Sequence, residues 1–235
     1  RGPAHSQRRG RQTLEANREH IPSSNKDTRK RMTERYELPQ ELRLTRNLTR
    51  DFIKNEILPL EQEIPHDSIT IPDDHFDRLS KLTKDMGLWC IGVDEEYGGA
   101  GLSLFANVVI SEEIVQHAAG LYCPAYGTMG TAPPEIIWAG SDYLSEKYGI
   151  PSVQHEKKGW FAITEPSGGS DPARAIQTTA KRDGDDWVIN GSKIFISGSP
   201  WGDWGIVFAR TDPETRRGIT AFVVENGWPG LTVEP

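Results

Sequence analysis

The texture of the chain changes once, at Trp160, and that change limits the fold more than any other feature. Before it, apolar residues recur at helical spacing. After it, short β-rich runs follow one another between turn residues. Helices grouped ahead of strands indicate separate α and β parts, an α+β multidomain chain, and not an alternating α/β sheet.

In the helical part, Leu44, Leu48 and Phe52 fall at i, i+4 and i+8, and Ile53, Ile57, Leu60 and Ile64 continue a neighbouring stripe. Pro59 is expected to kink or end this helix, because it lacks an N–H and clashes with the preceding turn. A second helix is predicted after Pro72-Asp73-Asp74, where early acids suit the positive helix end. It should carry Phe76, Leu79, Leu82 and Met86 inward and stop at Gly87. A loop at 94–101 precedes a third helix near 103–118, and a fourth covers about 133–148. Four amphipathic segments of this kind would pack as a helical domain. The predicted strands are 160–164, 176–182, 186–197, 204–210 and 218–225, with turn signals at 183–185 and at Asn190-Gly191. The expected divisions are a basic, disordered extension (1–36), a helical domain (37–158) and a β domain (159–235).

Charge divides the chain differently. Residues 1–35 hold ten Lys/Arg against four Asp/Glu, while the remainder holds 17 against 30. So acidic a body argues against a general nucleic-acid binder. No apolar run approaches the ~20 residues of a membrane helix, and residues 1–20 contain no apolar stretch of a secretory signal. Met32 opens a stretch that reads as a natural start. Cys90 and Cys123 form no CxxC pair and read as free thiols in a reducing compartment. A cytoplasmic location is expected, or the mitochondrial matrix in a eukaryote.

Several chemical signatures are missing. Gly98, Gly99 and Gly101 do not complete GxGxxG, since position 104 is Leu, and there is no P-loop, HExxH or GxSxG. The six histidines show no metal-ligand spacing, and no metal is expected. Trp201, Trp204 and Trp228 read as packing residues. The informative stretch is FAITEPSGGSD, residues 161–171, where a strand runs into Pro166 and a small hydroxyl-bearing, Gly-rich loop. Such a loop can aim backbone N–H groups and hydroxyls at one anion, or it can be an ordinary surface turn.

Five segments in order, EEYGGAGLS (95–103), AGSDYLSEKY (139–148), TEPSGGSD (164–171), WVINGSKIFISG (187–198) and GITAFVVE (218–225) with the following WPGLTVEP, resemble the acyl-CoA dehydrogenase family. The resemblance implies a helical N-terminal domain, a β-barrel-like middle domain, and truncation before a C-terminal four-helix bundle. It implies FAD as cofactor. Phe161, Ala162, Ile163, Thr164 and Glu165 would run beside the flavin ring, with Thr164 bonding its pyrimidine side. Gly169 and Ser170 would lie at the cofactor phosphates, and Ser170 also near the CoA end of the substrate. Phe195, Ile196 and Ser197 would form the second flavin contact, Ser197 reaching toward N5. Phe195 stands where many members have Trp, which keeps an aromatic face and loses the indole N–H. Glu165 belongs to the signature and is not the catalytic base, which is expected beyond Pro235. The resemblance further implies an acyl-CoA substrate, an electron-transfer flavoprotein as acceptor, and a homo-oligomer, a homotetramer in many members. The same fold also hosts flavin monooxygenases and oxidases, and a non-catalytic binding module is the third reading.

Overall fold

A computed structural model of the protein describes residues 37–65, 68, 71–117 and 127–234. The basic head (1–36), Cys123 and the end of the third expected helix lie outside the described residues. The chain forms two units, divided between Thr45 and Arg46. In the first, α1 (Gln40–Phe52) begins, with the Thr45 hydroxyl donating to the Glu41 carbonyl at 3.0 Å.

In the second unit Pro59 does not end the helix. The chain passes through a π-type turn, Ile53–Ile57, and continues as α2 (Leu58–Glu61), with Pro59 in its first turn where no intrahelical N–H is needed. Phe52, Ile53, Ile57 and Leu60 are buried together, whereas Leu48 and Leu44, expected on the inner face, are exposed. Next come α3 (Asp73–Asp85), which ends just before Met86 and Gly87, and α4 (Leu104–Ile114). The Ser103 side chain caps α4 by accepting from the Ala106 amide at 3.3 Å. These elements close one core containing Phe52, Ile53, Ile57, Leu79, Leu88, Ile110 and Ile114. Arg50 crosses from α1 to α4 and holds Glu113 with two donors, its Nε at 2.8 Å. Among the described residues no helix is long and apolar enough to cross a membrane.

The fourth expected helix is broken. A 3₁₀ turn (Glu135–Ala139), α5 (Asp142–Leu144), a π-type turn (Ser145–Gly149) and α6 (Ile150–Val153) replace it, with Gly140 and Ser141 at the first break. This segment is also not simply a fourth bundle member. Ile137 and Tyr148 pack on Trp204 and Ile206 of the sheet, while Val153 packs with Trp89, Cys90 and Val93. The Trp204 indole donates to Ser152 Oγ at 3.1 Å, and Tyr148 donates to Glu225 at 2.6 Å. One broken segment therefore joins the helical core to the sheet.

The β part is a five-stranded mixed sheet: β1 (Gly159–Ala162), β2 (Thr179–Asp183), β3 (Asp186–Asn190), β4 (Trp204–Arg210) and β5 (Ile219–Glu225). A four-residue helix, α7 (Pro172–Ala175), lies between β1 and β2. β5 runs antiparallel along all of β4, from Trp204↔Glu225 to Arg210↔Ile219. A strand has two edges, so β1 and β2 share the other one. β1 is parallel to the first four residues of β4, and β2 meets it at Thr179↔Arg210. β2 and β3 form the hairpin expected at residues 183–185.

Two expectations are corrected here. The predicted strand 186–197 ends at Asn190. Gly191 takes a φ of +155°, and a Cβ there would sit 2.3 Å from Thr178 Oγ1, so this close passage admits only glycine. The following residues, through Ser197, are not strand. The three tryptophans also separate: Trp204 is fully buried, while Trp201 and Trp228 are exposed.

Candidate functional site

The stretch that leaves β1 and the stretch that leaves β3 meet side by side. The Ile194 amide donates to the Thr164 carbonyl at 3.0 Å. The Lys193 ammonium reaches the same strand exit, 3.4 Å from the Ile163 carbonyl and 2.7 Å from Glu165 Oε1. Glu165 is buried, and its carboxylate also accepts from the amides of Gln177 at 2.6 Å and Thr178 at 3.0 Å. One carboxylate thus ties three stretches of backbone: the exit of β1, the entry to β2 and the chain after β3.

Burial alone would raise the pKa of the Glu165 carboxyl. The Lys193 ammonium and the two backbone amides outweigh burial and hold it at about 2. The group is ionised at neutral pH and its oxygens are occupied. It is a strut, and unsuited to proton transfer.

Beyond Glu165 the chain turns tightly. Glu165 and Gly168 exchange backbone hydrogen bonds at 3.2 and 3.0 Å. A Cβ on Gly169 would come within 3.1 Å of Thr164 Cγ2, so glycine there leaves the Thr164 side chain undisturbed. The Ser167 hydroxyl donates to the Ala175 carbonyl at 3.2 Å.

The expected site residues divide into two sets. Ala162 is buried in the sheet, Ile196 packs against the cluster of Trp160, Val207 and Val224, and Glu165 is spent internally. These three shape the site from beneath. Phe161, Phe195, Ser170 and Ser197 are exposed, Gly169 is open, and Ile163 and Thr164 are half-buried. The hydroxyls of Thr164, Ser170 and Ser197 make no hydrogen bond among the described residues. Phe161 leans edge-on to Phe208, with ring centroids 5.1 Å apart. Phe195 is 88% exposed and has a φ of +58°, a backbone region that a bulky L-residue rarely enters. Backbone strain held by its surroundings, on a phenyl ring facing solvent, marks a surface shaped for something else to cover. Contacts tie the 163–165 stretch to 193–194; Ser170 and Ser197 are not joined to it directly.

Sequence reasoning passed over Lys193. Its signal is a lysine inside the otherwise small and apolar run SKIFIS, where a cation has no place unless a carboxylate waits for it.

A planar aromatic group carrying an anionic tail fits this surface in kind. Phe161, Phe195 and the free Thr164 hydroxyl lie on the two stretches that meet here, next in sequence to a small-residue loop, and the carboxylate at the site is neutralised. Profiles described as acyl-CoA dehydrogenase, N-terminal domain, and acyl-CoA dehydrogenase, middle domain, match residues 39–156 and 160–235. The chain belongs to the acyl-CoA dehydrogenase family. It is 38% identical to an acyl-CoA dehydrogenase of Bacillus subtilis, over 83% of this chain and 50% of that protein. It is 34% identical to the (R)-benzylsuccinyl-CoA dehydrogenase of Thauera aromatica, over 84% of this chain and 52% of that one. A solved structure of a glutaryl-CoA dehydrogenase from Mycobacterium smegmatis in complex with FADH2 superposes with a TM-score of 0.64 at 26% identity, covering 83% of this chain and 48% of that chain. The chain spans about half the length of the curated relatives it matches.

Proposed function

We propose that the protein to which this chain belongs binds FAD and oxidises an acyl-CoA thioester between Cα and Cβ. The observation that carries this reading is Phe195, an exposed ring on a strained backbone, held beside Thr164 by the Ile194–Thr164 bond, within a chain of acyl-CoA dehydrogenase ancestry. When bound, FAD supplies the hydride acceptor for that oxidation.

The chain's own residues supply position. Phe161 and Phe195 offer apolar faces to a ring system, and the Thr164 and Ser197 hydroxyls offer donors at its polar edge. Ser170 and the open backbone at Gly169 serve the phosphate-bearing groups. The Glu165–Lys193 pair keeps the two ring-facing stretches in register. A carboxylate must take the α-proton, and Glu165, already accepting from three donors, is not that group. The acceptor is expected beyond Pro235. An electron-transfer flavoprotein as the next electron carrier, and a homo-oligomeric state, belong to the same proposal.

Anaerobic addition of acyl-CoA thioesters to the FAD-loaded protein tests it directly. Bleaching of the flavin absorbance without oxygen, followed by slow reoxidation in air, is the expected result. Fast reoxidation in air would favour an oxidase or monooxygenase, and failure to retain FAD would refute the reading.

A further inference from the structure

In the helical part, an open cavity of about 240 Å³ lies between the end of α3, the 94–101 loop and α6, and none of its lining residues belongs to the surface around Thr164 and Phe195. Trp89 and Val153, both buried, line it together with the glycine-rich stretch Gly98-Gly99-Ala100. A Cβ at Gly87, which also borders it, would meet nothing within 4 Å, and one at Gly98 would reach only Val153, at 3.6 Å. Glycine at both places keeps the space open.

Most donors of this lining are spent on the protein itself. The Trp89 indole donates to the Val153 carbonyl at 2.8 Å. The amides of Gly98, Gly99 and Ala100 donate to the carbonyls of Glu95, Asp94 and Cys90 at 3.0, 3.2 and 3.4 Å. The side-chain donors left to a ligand are Lys84 and Gln154, both exposed. Lys84 makes no ion pair among the described residues, and its sequence neighbour Asp85 is taken by Lys81 at 2.6 Å. Its ammonium rests 4.2 Å from the centroid of the Trp89 ring, a contact weaker than a charge-assisted hydrogen bond to a carboxylate. His155 senses the positive potential of this corner. Burial, then Lys158 and Lys84, hold its imidazole below the usual value against the opposing pull of Asp77.

We propose that this cavity binds a small carboxylate with a compact apolar body, an aryl or branched-chain acid, whose carboxylate pairs with Lys84 while its carbon skeleton covers Trp89 and Val153. The volume is below the ~300–1,000 Å³ of drug-sized sites, which limits the occupant to one ring or a short branched chain. Removal of apolar surface from water supplies the attraction, and Lys84 fixes the orientation. A phosphate ester would leave most of its oxygens without donors here. The site shares no residue with the flavin surface, so the proposal stands apart from the acyl-CoA reading.

Amide NMR titration of the full chain with phenylacetate tests it, beside phenylacetamide and inorganic phosphate. Phenylacetate should shift the Trp89 indole N–H and the Gly87, Gly98 and Gln154 amides saturably, with a Kd near or below ~1 mM. Phenylacetamide should bind about tenfold more weakly, for want of the charge-assisted bond. Lys84→Gln should cost phenylacetate about tenfold and leave phenylacetamide unchanged, and Lys84→Arg should recover affinity. Ala100→Leu, which fills the cavity, should weaken both ligands. Absence of saturable shifts at Trp89 and Gly98 in the parent overturns the proposal, as does equal phenylacetate affinity in Lys84→Gln. Shifts confined to residues 161–171 and 193–197 would put the acid on the flavin surface and overturn it too. Saturation by phosphate at equal affinity would make this a bare anion site, which also overturns it.

Discussion

Lys193 and Glu165, 28 residues apart in sequence, form an ion pair at 2.7 Å in which both side chains are at least nine-tenths buried. Breaking a buried pair leaves one charge without its partner, and the desolvation cost then falls on the survivor. Lys193→Met should lower unfolding stability by about 3 kcal/mol, read as a reduced urea midpoint. It should also loosen FAD, because the 163–165 and 193–197 stretches lose a tie. Unchanged stability would mean that the two backbone amides alone satisfy Glu165.

The same carboxylate predicts a pH dependence. Its folded pKa, about 2, lies below the roughly 4.3 of an unfolded Glu. Its contribution is therefore complete above about pH 4.3 and is lost as pH falls toward 2. The amount is about 3 kcal/mol. Denaturant curves between pH 6 and 2.5 should show this loss in the parent and a shallower decline in Glu165→Gln. Parallel declines would remove Glu165 from the acid-sensitive groups.

Phe195 should behave in opposite ways for stability and for cofactor. Glycine tolerates the positive φ, and the exposed phenyl ring contributes little packing, so Phe195→Gly should change unfolding free energy by less than about 1 kcal/mol. Its FAD should nonetheless dissociate faster on dialysis. A large stability loss with normal FAD retention would make Phe195 a structural residue.

For Ser197 the expected effect is kinetic. If its hydroxyl donates to flavin N5, Ser197→Ala should slow flavin reduction about tenfold, the equivalent of one hydrogen bond of ~1.4 kcal/mol in the transition state. Rapid-mixing absorbance on the FAD-loaded protein reads this rate, and an unaltered rate would sink the assignment.

Trp204 offers a test of the joint between helices and sheet. Its fully buried ring packs with Ile137 and Tyr148. Trp204→Ala should cost about 4 kcal/mol and expose the 135–153 segment to hydrogen exchange ahead of the helical core. Unaltered protection of that segment would show that its contacts with Trp89 and Val93 suffice.

The sequence by itself determined the order of the parts, because helical and strand periodicities report local backbone geometry. β4 and α3 fall where apolar spacing and punctuation put them, the first over all of 204–210 and the second after Pro72. It also made the family resemblance legible, through five segments in order with TEPSGGSD among them. What only the tertiary structure decided are the features whose causes lie far along the chain. The helical path runs through a π-type turn and on past Pro59, which falls in the first turn of α2, and the fourth helix is broken where Ile137 and Tyr148 pack against Trp204. The strand after Asn190 stops because Gly191 must pass against Thr178. Lys193 becomes a partner for Glu165, and Arg174 and Arg216 share Asp171, only once the sheet is folded. Charge pairing across 28 or 45 residues leaves no periodic trace. It depends on distances that the chain acquires when its strands align.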